Sequence, residues 1–107
     1  MVKDNNIFID HILSAISDIE GYVTGKDEKS FGKDKMLQDA VIRKVEIIGE
    51  AARNLSEEFK SKKADVEWRD IMDMRNKLIH EYFGVDLETV WLVVKKDLPS
   101  LKEKLQK

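Results

Sequence analysis

Residues 34–60 read DKMLQDAVIRKVEIIGEAARNLSEEFK. Leu37, Val41, Val45, Ile48, Ala52, Leu55 and Phe59 recur in steps of three and four, which places them on one face of a helix. Met36, Ala40, Ile47 and Ala51 form a second stripe. A helix that is apolar on two sides packs against more than one neighbour, so the spacing predicts a long helix from Asp34 to Lys60 inside a helical bundle. Gly49 falls in its middle, where glycine costs about 1 kcal/mol against alanine. Close approach of another helix backbone would explain it, as would chance.

The flanking segments repeat the pattern. On the N-terminal side a helix is expected to start after Asp4–Asn6, with one of Asp4, Asn5 or Asn6 as its cap. It carries Phe8, Ile12, Ala15, Ile16, Ile19 and Val23 at helical spacing and ends at Gly25. GKDEKSFGKDK then reads as a polar connection with a short turn around Ser30–Phe31. On the C-terminal side SKKADVEW reads as a loop, and Asp65 is expected to cap a third helix from Val66 or Glu67 to Tyr82, ended by Gly84. Asp86 is expected to cap a fourth, with Leu87, Val90, Trp91, Val94, Leu98, Leu101 and Leu105 in register. Pro99 should kink that helix or restart it, with Asp97 as the new cap. Four helices joined by short connections make residues 1–107 an all-α, antiparallel bundle in one domain.

Composition narrows the function. Hydrophobic residues are 42% and charged residues 37% of the chain, a folded rather than a disordered mixture. The net charge of −2 argues against a broad basic face, so any contact with nucleic acid would be confined to a cleft. There is no cysteine and there are two histidines, His11 and His80, which disfavours thiolate or imidazole metal sites. The N-terminus has acids within its apolar stretch and does not read as a signal peptide. No apolar run approaches the roughly 20 residues needed to span a bilayer, so the expected location is the cytoplasm.

The chemistry concentrates in WRDIMDMRNKLIHEYFG, residues 68–84. On a helical wheel Trp68, Ile71, Met72, Leu78, Ile79, Tyr82 and Phe83 fall within an apolar arc of roughly 140°. Arg75 lies near the middle of that arc. An arginine there is costly unless it is paired, with Glu46 or Glu50 on the preceding helix as candidates, or faces a cleft. His80 lies on the opposite, polar side, four residues after Asn76. Arg75 and His80 are five positions apart, about 140° around an ideal helix, so one regular helix does not aim both at a single atom. A histidine near a helix C-terminus also serves simply to offset the dipole. Tyr82, seven residues after Arg75, lies on nearly the same helix line, and a tyrosine at a bundle edge with its hydroxyl in water is the structural alternative.

Arg75, His80 and Tyr82 match an Arg-x4-His-x-Tyr motif, and the chain resembles the HEPN superfamily, more narrowly the HepT-like toxins. The similarity continues through MLQDAVIRKVEIIGEAARNLSEEF and VDLETVWLVVKKDLPSLKE, and so covers nearly the whole chain. The resemblance implies a four- to five-helix bundle that forms a homodimer with a cleft between protomers. It implies a metal-independent endoribonuclease needing no cofactor, with RNA as substrate, Arg75 and His80 as the catalytic pair and Asn76 supporting them. It further implies an MntA-type nucleotidyltransferase antitoxin that transfers AMP to Tyr82. The alternative is a catalytically silent HEPN-like dimer that docks such a partner.

Overall fold

The computed structural model describes residues 4–80 and 87–106, without the side chains of residue 74 and residues 77–80. The described residues form helices and no strand, as an all-α bundle requires. Among them no helix is long and apolar enough to cross a membrane.

Helix α1 (Asn5–Val23) begins where the Asp4 side chain accepts the Asn6 N–H at 3.0 Å, which selects Asp4 among the three candidate caps. It buries Ile12, Ala15, Ile16, Ile19 and Val23. Thr24 Oγ1 donates to the Glu20 carbonyl at 2.7 Å, and Gly25 then takes φ 74°, a left-handed turn that glycine enters without a Cβ penalty.

The expected polar connection contains a helix, α2 (Glu28–Lys33). Asp27 accepts the Ser30 N–H at 2.8 Å while Ser30 Oγ accepts the Asp27 N–H at 2.9 Å, a reciprocal cap. Phe31 is fully buried and tilts against Trp91 with ring centroids 5.2 Å apart. Buried Gln38 donates its amide to the Phe31 carbonyl at 2.9 Å, which fastens the segment to the next helix.

That helix, α3 (Lys35–Arg53), starts at Asp34, whose side chain accepts the Leu37 N–H at 3.1 Å. Val41, Val45, Ile48 and Ala52 are buried, and α3 packs on α1 on one side and α5 on the other. The second stripe is only partly covered: Ala51 is buried, but Met36 is 84% exposed. The helix also stops short of the expected Lys60. Ser56 begins a separate helix, α4 (Glu57–Lys62), by accepting the Phe59 N–H at 3.1 Å. Asn5 donates to Ser56 Oγ at 3.0 Å and accepts the Ser56 N–H at 2.9 Å. Both polar groups of Ser56 are satisfied outside a continuous α3, so the chain turns there, with Leu55 buried in the elbow.

Helix α5 (Trp68–His80) begins later than expected, and Asp65 is not its cap. Asp65 sits in the preceding turn, where its carbonyl accepts from Lys104 Nζ at 2.7 Å. Trp68 Nε1 donates to the Lys63 carbonyl at 3.1 Å, and its ring meets Phe59 edge-on. The expected ends at Tyr82 and Gly84, and the cap at Asp86, lie outside the described residues.

The last helix is not broken at Pro99. Helix α6 (Leu87–Leu92) passes through a π-helical turn (Val93–Asp97) into α7 (Leu98–Gln106), and the Leu98 N–H bonds to the Val93 carbonyl. Asp97 belongs to that wide turn, inside a continuous helix, and does not start a new one. A proline lacks the N–H and its ring crowds the carbonyl four residues back; a wider turn just before it relieves both. Helix α6 packs on α2, and α7 packs on α1.

Loss of an N-cap hydroxyl typically costs about 1 kcal/mol, worth about 4–8 °C in a domain of this size. Ser56→Ala should lower the melting temperature by at least that, because Asn5 loses a partner too; an unchanged melt would show that the elbow does not depend on this cap. Hydrogen bonds from Ser30, backbone and side chain, hold the exposed Asp27 carboxyl below its ordinary 3.8. Its contribution is therefore present above the unfolded-state pKa and lost as pH falls through the lower folded value. An NMR titration should place its midpoint below 3.8, and Ser30→Ala should raise it.

Candidate active site

Helices α3 and α5 cross at Gly49. A Cβ built there would overlap Arg75 Cβ and Cγ and stand 3.5 Å from its Cδ. Any side chain at 49 would push α5 away, so of the two explanations its position allowed, close approach holds, with the Arg75 side chain and not a helix backbone as the neighbour.

Arg75 thus lies flat on α3, with its side chain 18% exposed. Its Nη2 forms an ion pair with Glu50 Oε1, and its Nη1 donates to Asn76 Oδ1 at 2.9 Å. Of the two expected carboxylates, Glu50 is the partner; Glu46 faces Arg43 at 3.5 Å. Arg75 Nε is buried and has no hydrogen-bond partner among the described residues. A buried donor left without an acceptor costs about 1–3 kcal/mol. Trp68, Ile71 and Met72, on the same helix, are only partly buried, so the apolar arc around Arg75 is incompletely covered.

Arg75 and Asn76 are therefore brought together, with Asn76 turned to Arg75. His80 is the last described residue of α5, and its side chain lies outside the described residues, as does all of Tyr82. Glu50 joins the site as one of two candidates from the sequence; its position directly after Gly49 was the signal that could have singled it out. The other histidine, His11, is exposed on α1. It lines a separate groove of about 260 Å³ between α1 and α3, with Ser14, Asp18 and Lys44. There Lys44 pairs with Asp18 at 2.9 Å, and that hydrogen bond raises the lysine pKa.

An all-helical bundle with an arginine set into the apolar seam between two helices defines the class, and comparison with known proteins gives the family. The family model described as "Ribonuclease HepT-like" matches residues 12–107. The chain is 43% identical over 107 residues to the "Probable ribonuclease HepT" of Thermococcus cleftensis, covering all of this chain and 97% of that one. It is 51% identical over 107 residues to the "Gamma-glutamylcyclotransferase and putative RNase" of Methanocaldococcus jannaschii, where it spans only 48% of the relative's length. A third relative, from Caldanaerobacter subterraneus subsp. tengcongensis and also named as an RNase, is 40% identical over 105 residues, or 98% of this chain and 94% of the relative. No solved structure matches significantly. The chain belongs to the HepT-like ribonuclease family.

Overpacking a tight contact costs about 1–3 kcal/mol, against at most about 1 kcal/mol gained in helix propensity. Gly49→Ala should therefore be destabilising in urea unfolding. A more stable variant would mean that α5 can retreat without loss.

Proposed function

We propose that the chain is a metal-independent endoribonuclease and the toxin of a toxin–antitoxin pair, with Arg75 and His80 as its catalytic residues. The supporting observation is the state of Arg75: a guanidinium held in an apolar seam by Glu50 and Asn76, with terminal N–H donors to spare. Together with membership of a ribonuclease family, this favours recognition of an RNA phosphate.

The chemistry follows from the residue types. His80 removes the proton from a ribose 2′-hydroxyl, a task to which the imidazole side chain is suited. The 2′-oxygen attacks the adjacent phosphorus and the bond to the 5′-oxygen breaks, leaving a 2′,3′-cyclic phosphate. The departing oxygen takes a proton from an imidazolium, supplied by the second protomer's copy of His80. Arg75 holds the phosphate oxygens and stabilises the charge that builds up on them, and Asn76 orients Arg75. The nucleophile is internal to the RNA, so the scheme assigns no step to a metal. Sharing between two protomers answers the wide angle between Arg75 and His80 along one helix, and a homodimer would cover the partly exposed arc of α5.

Control falls to Tyr82. A partner nucleotidyltransferase of the MntA type joins the phenol oxygen to the α-phosphorus of ATP; pyrophosphate leaves and the phenolic proton is lost. The added phosphate and base would enter the cleft and repel RNA by charge. A second reading, a silent module that only docks the nucleotidyltransferase, is favoured by one observation: Glu50 already occupies part of Arg75.

Wild-type protein should cleave RNA in EDTA and sediment as a dimer or a multiple of dimers, not as a 12.4 kDa species. His80→Ala and Arg75→Ala should each abolish cleavage with unchanged circular dichroism; loss of a proton-transfer group such as His80 typically costs about 10²–10⁴-fold. Activity that vanishes on chelation and returns with magnesium would remove the mechanism, and no cleavage at all would leave the docking module. Tyr82→Phe should keep some cleavage yet gain no AMP when coexpressed with the partner, as read by intact mass. A variant that still gains AMP would move the acceptor elsewhere.

A further inference from the structure

We propose that Glu50 is a positioning residue for RNA cleavage, a role that rests on Arg75 being catalytic as proposed above. Its carboxylate would anchor the Arg75 guanidinium on α3 and turn the remaining donors toward a phosphate.

Three features of the seam carry this. Glu50 Oε1 forms the ion pair with Arg75 Nη2, and the Glu50 side chain is 45% exposed, so the carboxylate stands at the rim and not in the core. Gly49, one residue earlier, supplies the bare floor on which Arg75 Cβ and Cγ lie. Successive helix positions differ by about 100°, so glycine forms the base of the cradle and glutamate its side wall. Asn76 holds the other terminal nitrogen at 2.9 Å, which leaves the guanidinium plane tied at both Nη atoms by side chains from two helices. A guanidinium has five N–H donors, and these two bonds leave the second hydrogen on each Nη for phosphate oxygens.

A free arginine side chain samples many rotamers, and each contact that fixes it beforehand removes ordering that the transition state would otherwise demand. Glu50 also supplies the negative charge that makes a mostly buried cation tolerable before RNA arrives. An incoming phosphate then adds to a guanidinium already in place. The effect should fall on kcat, because the anchoring matters most where phosphate charge develops, and much less on KM.

The test compares wild type, Glu50→Gln, Glu50→Asp, Arg75→Ala and the Glu50→Gln/Arg75→Ala double variant on a single-stranded RNA oligonucleotide, below every melting midpoint. Glu50→Gln should lower kcat on the order of 10²-fold with KM nearly unchanged, since small misplacement of a reacting group costs that much. Glu50→Asp, which keeps the charge, should recover part of the loss. The double variant should be no slower than Arg75→Ala, because both changes disable one unit. Nitrogen-15 spectra of the arginine side chains give a readout independent of turnover: the Arg75 Nη hydrogens should be separately resolved in wild type and averaged by rotation in Glu50→Gln. Full kcat in Glu50→Gln, or a pinned Arg75 signal in that variant, overturns the positioning role while leaving Arg75 catalytic. An Arg75→Ala protein that cuts RNA at the wild-type rate overturns both.

Discussion

Where α3 and α5 cross, a residue without a side chain faces the stem of a residue with a long one. Helix axes normally stand 8–10 Å apart because side chains fill the space between them. At Gly49 that filling comes from one side only, and the aliphatic part of Arg75 provides it. The placement of the guanidinium follows from this contact. Its stem is consumed as packing material, so its head emerges beside Glu50 instead of stretching into water.

An arginine in such a place is poorly explained by stability alone. Buried ion pairs roughly break even against apolar residues of the same volume, and an unmatched Nε adds a further penalty. A leucine at 75 would make a quieter seam. Natural chains keep such local conflicts mostly where function needs them, and the incompletely covered Trp68, Ile71 and Met72 beside it point the same way. The remainder of the molecule holds this conflict still: Asn5 and Ser56 fix the elbow after α3, and Trp68 fastens the start of α5 to the Lys63 carbonyl.

What could be read from residue order depended on the range of the forces involved. The apolar stripe of α1 and the main stripe of α3 are local, periodic signals that appear as expected, and Asp4 is one of the three caps the sequence offered. The break at Ser56 was hidden because its cause is Asn5, 51 positions away. The seating of α2 was hidden for a similar reason: a single aromatic, Phe31, in a polar stretch becomes structural only when Trp91 meets it. In the site, the wheel marked Arg75 as misplaced and offered two carboxylates, but only the crossing geometry chose between them. The roles proposed for His80 and Tyr82 rest on motif resemblance, since spacing alone does not distinguish a working histidine from one that offsets a dipole.

The π turn before Pro99 also sets the direction of the last helix. One extra residue in a turn retards everything that follows by about 100° around the axis. Trp91, ahead of the turn, faces α2, whereas the helix that carries Leu98, Leu101 and Leu105 faces α1. A single helix thereby serves two walls of the bundle without bending away from either. The reading frame of its apolar residues is offset across that turn, so the segment is sensitive to length in an unusual way. Removing one residue between 93 and 97 would restore an ordinary helix and swing the C-terminal apolar face off α1, with every side chain beyond the deletion intact and every one misdirected.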